Sequence, residues 1–544
     1  MTPDAPSPAP TAASLPPLGI AIETIGVVAI GMVGSSISSQ LVDLAIADVG
    51  GGVSISADEA SWLACIATMA EVAAIPLAAL LVRALSLRVV IISTAGVYAL
   101  CALGSLATAH ASGLILLRAP QSFCGGIMSV LLFVAVMATL PPGPRRGIGL
   151  TVFAFASTAP AALVASVGAF VTERFGWQGV YYFDIAWALV VFALATFLLR
   201  PTPSVMRLSE IDWPSYLLAA IGLAALILFL KQGDRFFWLE SPAIVRAGLL
   251  AAIALPAAVV ALLSRKNPLI DLSLLMKPRF GWAVTLATVY RFGLVVTVFV
   301  VPQALTRLQG FRMPEIADAT IWMFWVECLA FPLAWFWASR WDARLPLSLG
   351  LALFAIGAFV CTYLTPDWQA GDFRLTLIAL GFGQALFLVP TVFYATRDAA
   401  PQQGPTAASL FNLSRVVGQT FGIAVIGSLI TWREKFHSAL LVDNLGNANS
   451  ALADRLNGLV GTFLGAHGDP DLAALQAWQS LSGTASSQAY VLAFADSFVI
   501  ISLVLAVSAL LVLMLPPLRD RGQTSRLPAA MAPDDQVLGT GRHA

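Results

Sequence analysis

Residues 71–78 read Glu-Val-Ala-Ala-Ile-Pro-Leu-Ala, and residues 327–334 read Glu-Cys-Leu-Ala-Phe-Pro-Leu-Ala. Both octets lie inside long apolar runs. A shift of 256 positions superposes Glu71 on Glu327, Ala74 on Ala330, Pro76 on Pro332, Leu77 on Leu333, Ala78 on Ala334 and Arg88 on Arg344. Ala and Leu coincide often in so apolar a chain, whereas matched Glu, Pro and Arg carry information. The two copies stand eight apolar segments apart and so share one orientation. Such a parallel repeat builds two like-oriented bundles with a solute site between them, which favours a carrier over a channel or an enzyme.

The surrounding composition agrees. Of 544 residues, 58% are hydrophobic and 11% charged, against roughly 25% charged in a soluble domain, and the mean hydropathy is +0.84. Runs of spanning length recur at 18–40, 60–82, 87–108, 112–138, 147–171, 177–199, 213–231, 242–263, 280–304, 315–338, 346–366, 373–396, 406–431 and 489–515. Each suffices for a helix across a core of about 30 Å, and the alternation of a membrane barrel is absent. The predicted fold is an all-α polytopic membrane protein of about fourteen helices. Six spans form a bundle over 18–200, two form an inserted hairpin over 201–264, and six form a second bundle over 265–515. The insert is short enough to be a re-entrant pair instead. Residues 1–17 and 516–544 are expected to be disordered tails, and 432–488 a large outer loop with helix-like spacing at 451–464 and 471–481.

Basic residues accumulate in loops on the side of both termini, among them Arg145, Arg146, Arg265, Lys266, Lys277, Arg279 and Arg340, which predicts cytoplasmic termini. Cys65, Cys101, Cys124, Cys328 and Cys361 all fall in predicted spans and read as small apolar fillers. No metal-ligand spacing and no phosphate-binding loop occurs in the sequence, so neither a metal, a cofactor nor ATP-driven transport is expected. No catalytic residue and no nucleic-acid partner is expected.

Charges inside a span are costly, on the order of 2.5–3.5 kcal/mol, and face a cavity or a partner. The candidates for proton coupling are Glu71 and Glu327, central in their spans, with Arg118, Asp184 and Asp43. Each carboxylate could instead bond a neighbouring helix and fix packing near its proline. Arg291, Asn412, Arg415, Gln419 and Gln121 are candidate cavity residues. Helical spacing puts Asn412, Arg415 and Gln419 on one face, where they could equally tie helices together. Arg291 could meet an anionic substrate or pair with an acid. Asp342, Arg344 and Arg88 are candidates for a gating loop. The aromatic residues of 322–337 could face substrate or lipid, and Gly381 and Gly383 read as sites of close helix packing.

Several stretches resemble the fourteen-helix drug/proton antiporters of the major facilitator superfamily, the EmrB/QacA type. Ser409–Gly422 (SLFNLSRVVGQTFG) and Arg433–His437 (REKFH) resemble that family's thirteenth helix and outer loop. Asn267–Leu275 (NPLIDLSLL) resembles the approach to its ninth helix, and Asp58–Trp62 (DEASW) the start of its second. Arg118–Gly126 (RAPQSFCGG) resembles its fourth-helix motif, with Arg118, Gln121 and Gly125 in place. Two departures stand out: Arg83 occupies the position of the family's loop aspartate, and the fifth-helix motif keeps only Pro160 and Gly168. The resemblance implies proton-coupled export of amphipathic organic compounds across a bacterial inner membrane. It also implies work with a periplasmic membrane-fusion adaptor and an outer-membrane channel. An uptake symporter or facilitator, and a transporter-like receptor or scaffold, are the alternatives.

Overall fold

The computed structural model describes residues 16–108, 110–265, 268–397, 403–446 and 450–514. The tails expected at 1–17 and 516–544, except for residues 16 and 17, lie outside the described residues. Among the described residues no strand occurs. The first half contains α1 (Leu18–Leu44), the short α2 (Ile46–Val53), α3 (Ala57–Leu85), α4 (Leu87–Leu106), α5 (Ala111–Thr139), α6 (Pro144–Ala156), α7 (Ala159–Phe175) and α8 (Gly179–Leu198). The insert is α9 (Trp213–Gln232) and α10 (Pro242–Ser264). The second half contains α11 (Ser273–Met276), α12 (Pro278–Val295), α13 (Val301–Gln309), α14 (Met313–Arg340), α15 (Arg344–Val360), α16 (Arg374–Thr396), α17 (Gly404–Gly446), α18 (Ser450–His467) and α19 (Pro470–Val512).

Thirteen helical segments among the described residues are long and apolar enough to cross a membrane. One of them, Ala159–Leu198, doubles back at Gly176, whose φ of +62° breaks the helix. Gly179 there abuts the Val171 carbonyl, so α7 and α8 form a hairpin and the described residues supply fourteen candidate crossings. The fifth crossing is interrupted: α6 ends at Ala156, and α7 restarts with Pro160 in its first turn, where a missing N–H costs nothing. The ninth is α12 and α13 joined through a π-turn at Val296–Val300, just before Pro302. That proline has no N–H to give the preceding turn, and the widened turn absorbs the defect.

The repeat is visible in the fold. Adding 256 to the first residue of α3 yields the first residue of α14. Glu59 accepts from the Ser56 N–H at 2.9 Å at one helix start, and Glu315 from the Arg312 N–H at 3.0 Å at the other, again 256 apart. Each carboxylate satisfies one of the orphan donors that every helix N-terminus presents. In both halves the proline helix packs on the helix two crossings later, α3 on α5 and α14 on α16. Close approach needs glycine at Gly126, where a Cβ would stand 2.5 Å from the Glu71 carbonyl oxygen. Gly350 and Gly383 do the same between α15 and α16.

The insert is a spanning hairpin, not a re-entrant pair, and α9 packs against α3. At the face opposite the start of α1, the far face, it is tied to both halves. Lys231 pairs with Asp43 at 3.2 Å and Arg235 with Asp58, while Thr431 bonds Asp234 at 3.2 Å and the Trp238 indole donates to Ser428 at 3.2 Å. At the near face Asp212 caps α9, accepting from Ser215 and pairing with Arg265 at 3.1 Å. The segment 432–488, expected as a large outer loop, is almost wholly helical where it is described: α17 continues unbroken to Gly446, and the helix-like spacings at 451–464 and 471–481 fall in α18 and in α19, which begins at Pro470. Asp469 caps that start through the N–H groups of Asp471 and Leu472. The helices simply outrun the membrane, because 43 residues at 1.5 Å each reach about 64 Å, twice the hydrocarbon thickness.

Candidate functional site

The charged residues of the repeat mark the middle of the molecule. Glu71 is midway along α3 and Glu327 midway along α14. α3 faces α17 across the boundary between the halves, and there Arg415 Nη2 donates to Glu71 Oε1 at 2.7 Å. Both side chains are 13% exposed, so the pair is largely desolvated. Asn412 Oδ1 accepts from Arg415 Nε at 3.4 Å, and Ser39 Oγ lies 3.4 Å from the other Glu71 oxygen. One turn away Ser409 Oγ donates to the Ile75 carbonyl at 3.3 Å, the second polar tie between the halves at this level. Arg291, on α12, is 3% exposed and adjoins Arg415 electrostatically. Its Cβ lies close to Gly418, whose missing side chain lets α12 and α17 approach.

Aromatic contacts between the halves surround this layer. Phe155 meets Phe331 at 5.4 Å and Phe324 at 6.1 Å, and Phe153 meets Phe411 at 6.2 Å. Towards the near face Gly147 lies against Trp335 and Phe393, and towards the far face Gly168 lies against Met313. The halves therefore touch on both sides of the charged layer.

Glu327 is fully buried within the second half and accepts from Gln384 Nε2 at 2.6 Å. Its other oxygen, Oε2, has no partner among the described residues, and neither do Gln384 Oε1 and the nearby Tyr290 hydroxyl. The first half holds a counterpart cluster. Arg118 donates to Gln121 Oε1 at 3.1 Å and to the Ser38 carbonyl at 3.3 Å, and Gln121 donates to Asp184 Oδ2 at 2.7 Å. Arg118 and Asp184 stand 3.8 Å apart with exposures of 2% and 0%. Tyr98 completes the cluster through a hydrogen bond with Ser38. A cavity of about 10 Å³, room for roughly one water, separates this cluster from Glu71, walled by Ser35, Ser36, Ser39 and Ser122.

The remaining candidates lie elsewhere. Asp43 is at the far face, 44% exposed and engaged with Lys231. Gln419 has no hydrogen bond among the described residues. Asp342 and Arg344 pair with each other at 2.7 Å in the α14–α15 turn, and Arg88 donates to the Thr196 carbonyl at 2.8 Å. Gln384, Tyr98 and the α1 serines were not singled out from sequence. Gln384 sits in the GFGQ stretch already noted for its glycines, so an uncharged polar residue in an apolar run was the available signal.

Four cysteines are buried as fillers and Cys328 is exposed. Among the described residues no cluster suited to a metal ion occurs.

A family model described as "Major Facilitator Superfamily" matches residues 28–301. The chain is 24% identical over 440 residues to the colistin resistance protein EmrB of Acinetobacter baumannii, covering 78% of this chain and 83% of that protein. It is 22% identical over 432 residues to the multidrug export protein EmrB of Escherichia coli K12, with coverages of 78% and 83%. Among solved structures, the proton:xylose symporter XylE superposes with a TM-score of 0.56 at 13% identity, over 92% of this chain and 96% of that one. Two like-oriented six-helix bundles, the repeat that relates them and the family match lead to one conclusion: the chain belongs to the Major Facilitator Superfamily and is related to its EmrB multidrug export proteins.

Proposed function

We propose that the chain is a secondary transporter of a bacterial inner membrane that exports amphipathic organic compounds in exchange for protons. The observation that carries this reading is the Glu71–Arg415 pair at mid-depth between the two halves. Alternate opening of the two faces rocks the halves about this level, so α3 and α17 shift against each other where the pair ties them. Protonating Glu71 removes its charge and weakens its hold on Arg415, so proton uptake and opening become one event. Glu327 is the second exchange site: its buried carboxyl has an amide donor and no cation within salt-bridge distance among the described residues, a setting that disfavours permanent charge. A proton falling through about 100 mV releases about 2.3 kcal/mol, enough to hold a roughly fifty-fold gradient of a neutral substrate.

The export direction and substrate breadth follow the EmrB relatives, which are named for multidrug export and colistin resistance. The excess of basic residues in the loops on the side of both termini supports cytoplasmic termini. The far-face extensions of α17 and α19, joined through α18, then enter the periplasm. Their exposed Phe436, Leu440, Leu475 and Trp478 offer a docking surface for a membrane-fusion adaptor.

The test is transport in proteoliposomes of the full chain under an imposed pH gradient, with fluorescent amphipathic substrates, for wild type, Glu71→Gln and Glu327→Gln. Gradient-driven movement lost in either variant is the expected result. Movement that is independent of the gradient and unchanged in both variants would make the repeated glutamates packing elements and the protein a facilitator.

A further inference from the structure

Arg291 is the one strongly buried cation of the central layer whose charge is left unanswered among the described residues. Arg118 has Asp184, Gln121 and the Ser38 carbonyl; Arg415 has Glu71 and Asn412. Arg291 has neither an ion pair nor a hydrogen bond there, although only 3% of its surface is exposed. Its neighbours aggravate the imbalance. The groups that act on it electrostatically are the Tyr290 phenol, whose ring centroid lies 5.6 Å from the guanidinium carbon, and a second cation, Arg415. Glu71 is already taken by Arg415, and Glu327 is turned to Gln384.

Removing a guanidinium from water without a partner costs several kcal/mol. A residue needed only for packing would meet the same space with a Leu or Met at no such cost. A planar guanidinium with its donors free is suited to one class of ligand above others, a carboxylate gripped through two parallel hydrogen bonds. The Tyr290 ring beside it is fully buried and stacked on Phe387 at 4.7 Å, so the guanidinium is backed by a fixed aromatic pair. We propose that Arg291 anchors the anionic group of the substrate, and that the cargo of this chain is an amphipathic carboxylate. The inference rests on the transport reading above and narrows it to a substrate class.

Equilibrium binding tests it without requiring transport. The full-length protein in nanodiscs of zwitterionic lipid is titrated with a series of naphthyl carboxylates of increasing chain length and with the matching carboxamides. The same titrations are run on Arg291→Gln and Arg291→Lys. The expected result is at least tenfold tighter binding of carboxylates than of their amides. Arg291→Gln brings the carboxylates down to the level of the amides, and Arg291→Lys retains part of the preference. Equal affinity for the two series in wild type, no carboxylate binding at all, or a preference that survives in Arg291→Gln overturns the proposal. The wild-type comparison decides the matter even if a variant does not fold. Proton-driven export lost while the carboxylate preference persists would sink the export reading alone; export retained without the preference would sink the anion site alone.

Discussion

At the residue scale, the Glu71–Arg415 pair spans 344 positions of sequence and the boundary between the halves. Both intramembrane charges stand out in the sequence because charge is rare there, yet nothing local names them as partners. Glu71 is far nearer in sequence to Arg118, which proves to belong to a different cluster with Asp184. A desolvated pair punishes the loss of one member more than the loss of both, since the survivor keeps its solvation penalty. Arg415→Gln and Glu71→Gln should therefore each lower thermal stability, and the double variant should recover part of the loss, with a coupling on the order of 1–3 kcal/mol. Melting curves of the four proteins measure it; strictly additive effects would show that the pair contributes no mutual energy. Gly126 offers a steric prediction. A Val there drives its Cβ into the Glu71 backbone, 2.5 Å from the carbonyl oxygen, and should cost about 1–3 kcal/mol as α3 and α5 are pushed apart. Retained wild-type stability would mean that the two helices slide freely.

At the scale of the helix, length and hydropathy are enough to place the crossings, because the bilayer imposes one thickness on all of them. Interruptions within a crossing are less legible. Pro76 and Pro332 remain inside continuous helices, whereas Pro160 restarts one and Pro302 follows a π-turn. The same residue type has three outcomes, and nothing local in the sequence distinguishes them. The stretch after Trp432 is legible in part: the apolar spacing at 451–464 and 471–481 marks helix there, but its polar residues hide that α17 and α19 each continue unbroken from their membrane crossings. The insert supplies a prediction outside the membrane. The Ser215 hydroxyl beside Asp212, chiefly, holds its carboxyl below the usual carboxylate range. A depressed folded pKa gives a stabilisation that is full above the unfolded value, near 3.9, and is lost as pH falls through the folded one. Asp212→Ala should therefore cost about 1 kcal/mol at neutral pH. The gap in melting temperature between it and wild type should begin to narrow as pH falls below about 4 and go on narrowing at lower pH, and a gap that does not change with pH would assign the effect to packing instead.

At the scale of the whole molecule, the two halves are unequal in charge although the repeat relates their frames. The first holds Arg118 with Asp184 and sends Glu71 to the boundary; the second buries Glu327 beside an amide and leaves Arg291 bare. The duplicated glutamates thus end in different surroundings, one facing a cation across the boundary and one enclosed within its own bundle. That asymmetry has an electrical consequence if the cargo is a monoanion exported against one proton. The anion leaving and the proton entering move positive charge in the same sense, two charges per cycle. An inside-negative potential of about 100 mV then contributes about 4.6 kcal/mol, against about 2.3 kcal/mol for a neutral cargo. In proteoliposomes whose potential is set by potassium and valinomycin, oriented so that export is the driven direction, steady-state accumulation of a naphthyl carboxylate should rise far more steeply with voltage than that of its amide. Each doubling of the potential should square the carboxylate's charge-driven accumulation ratio. Equal voltage dependence for the two cargoes would mean that the carboxylate travels protonated, and that Arg291 meets no anion during the cycle.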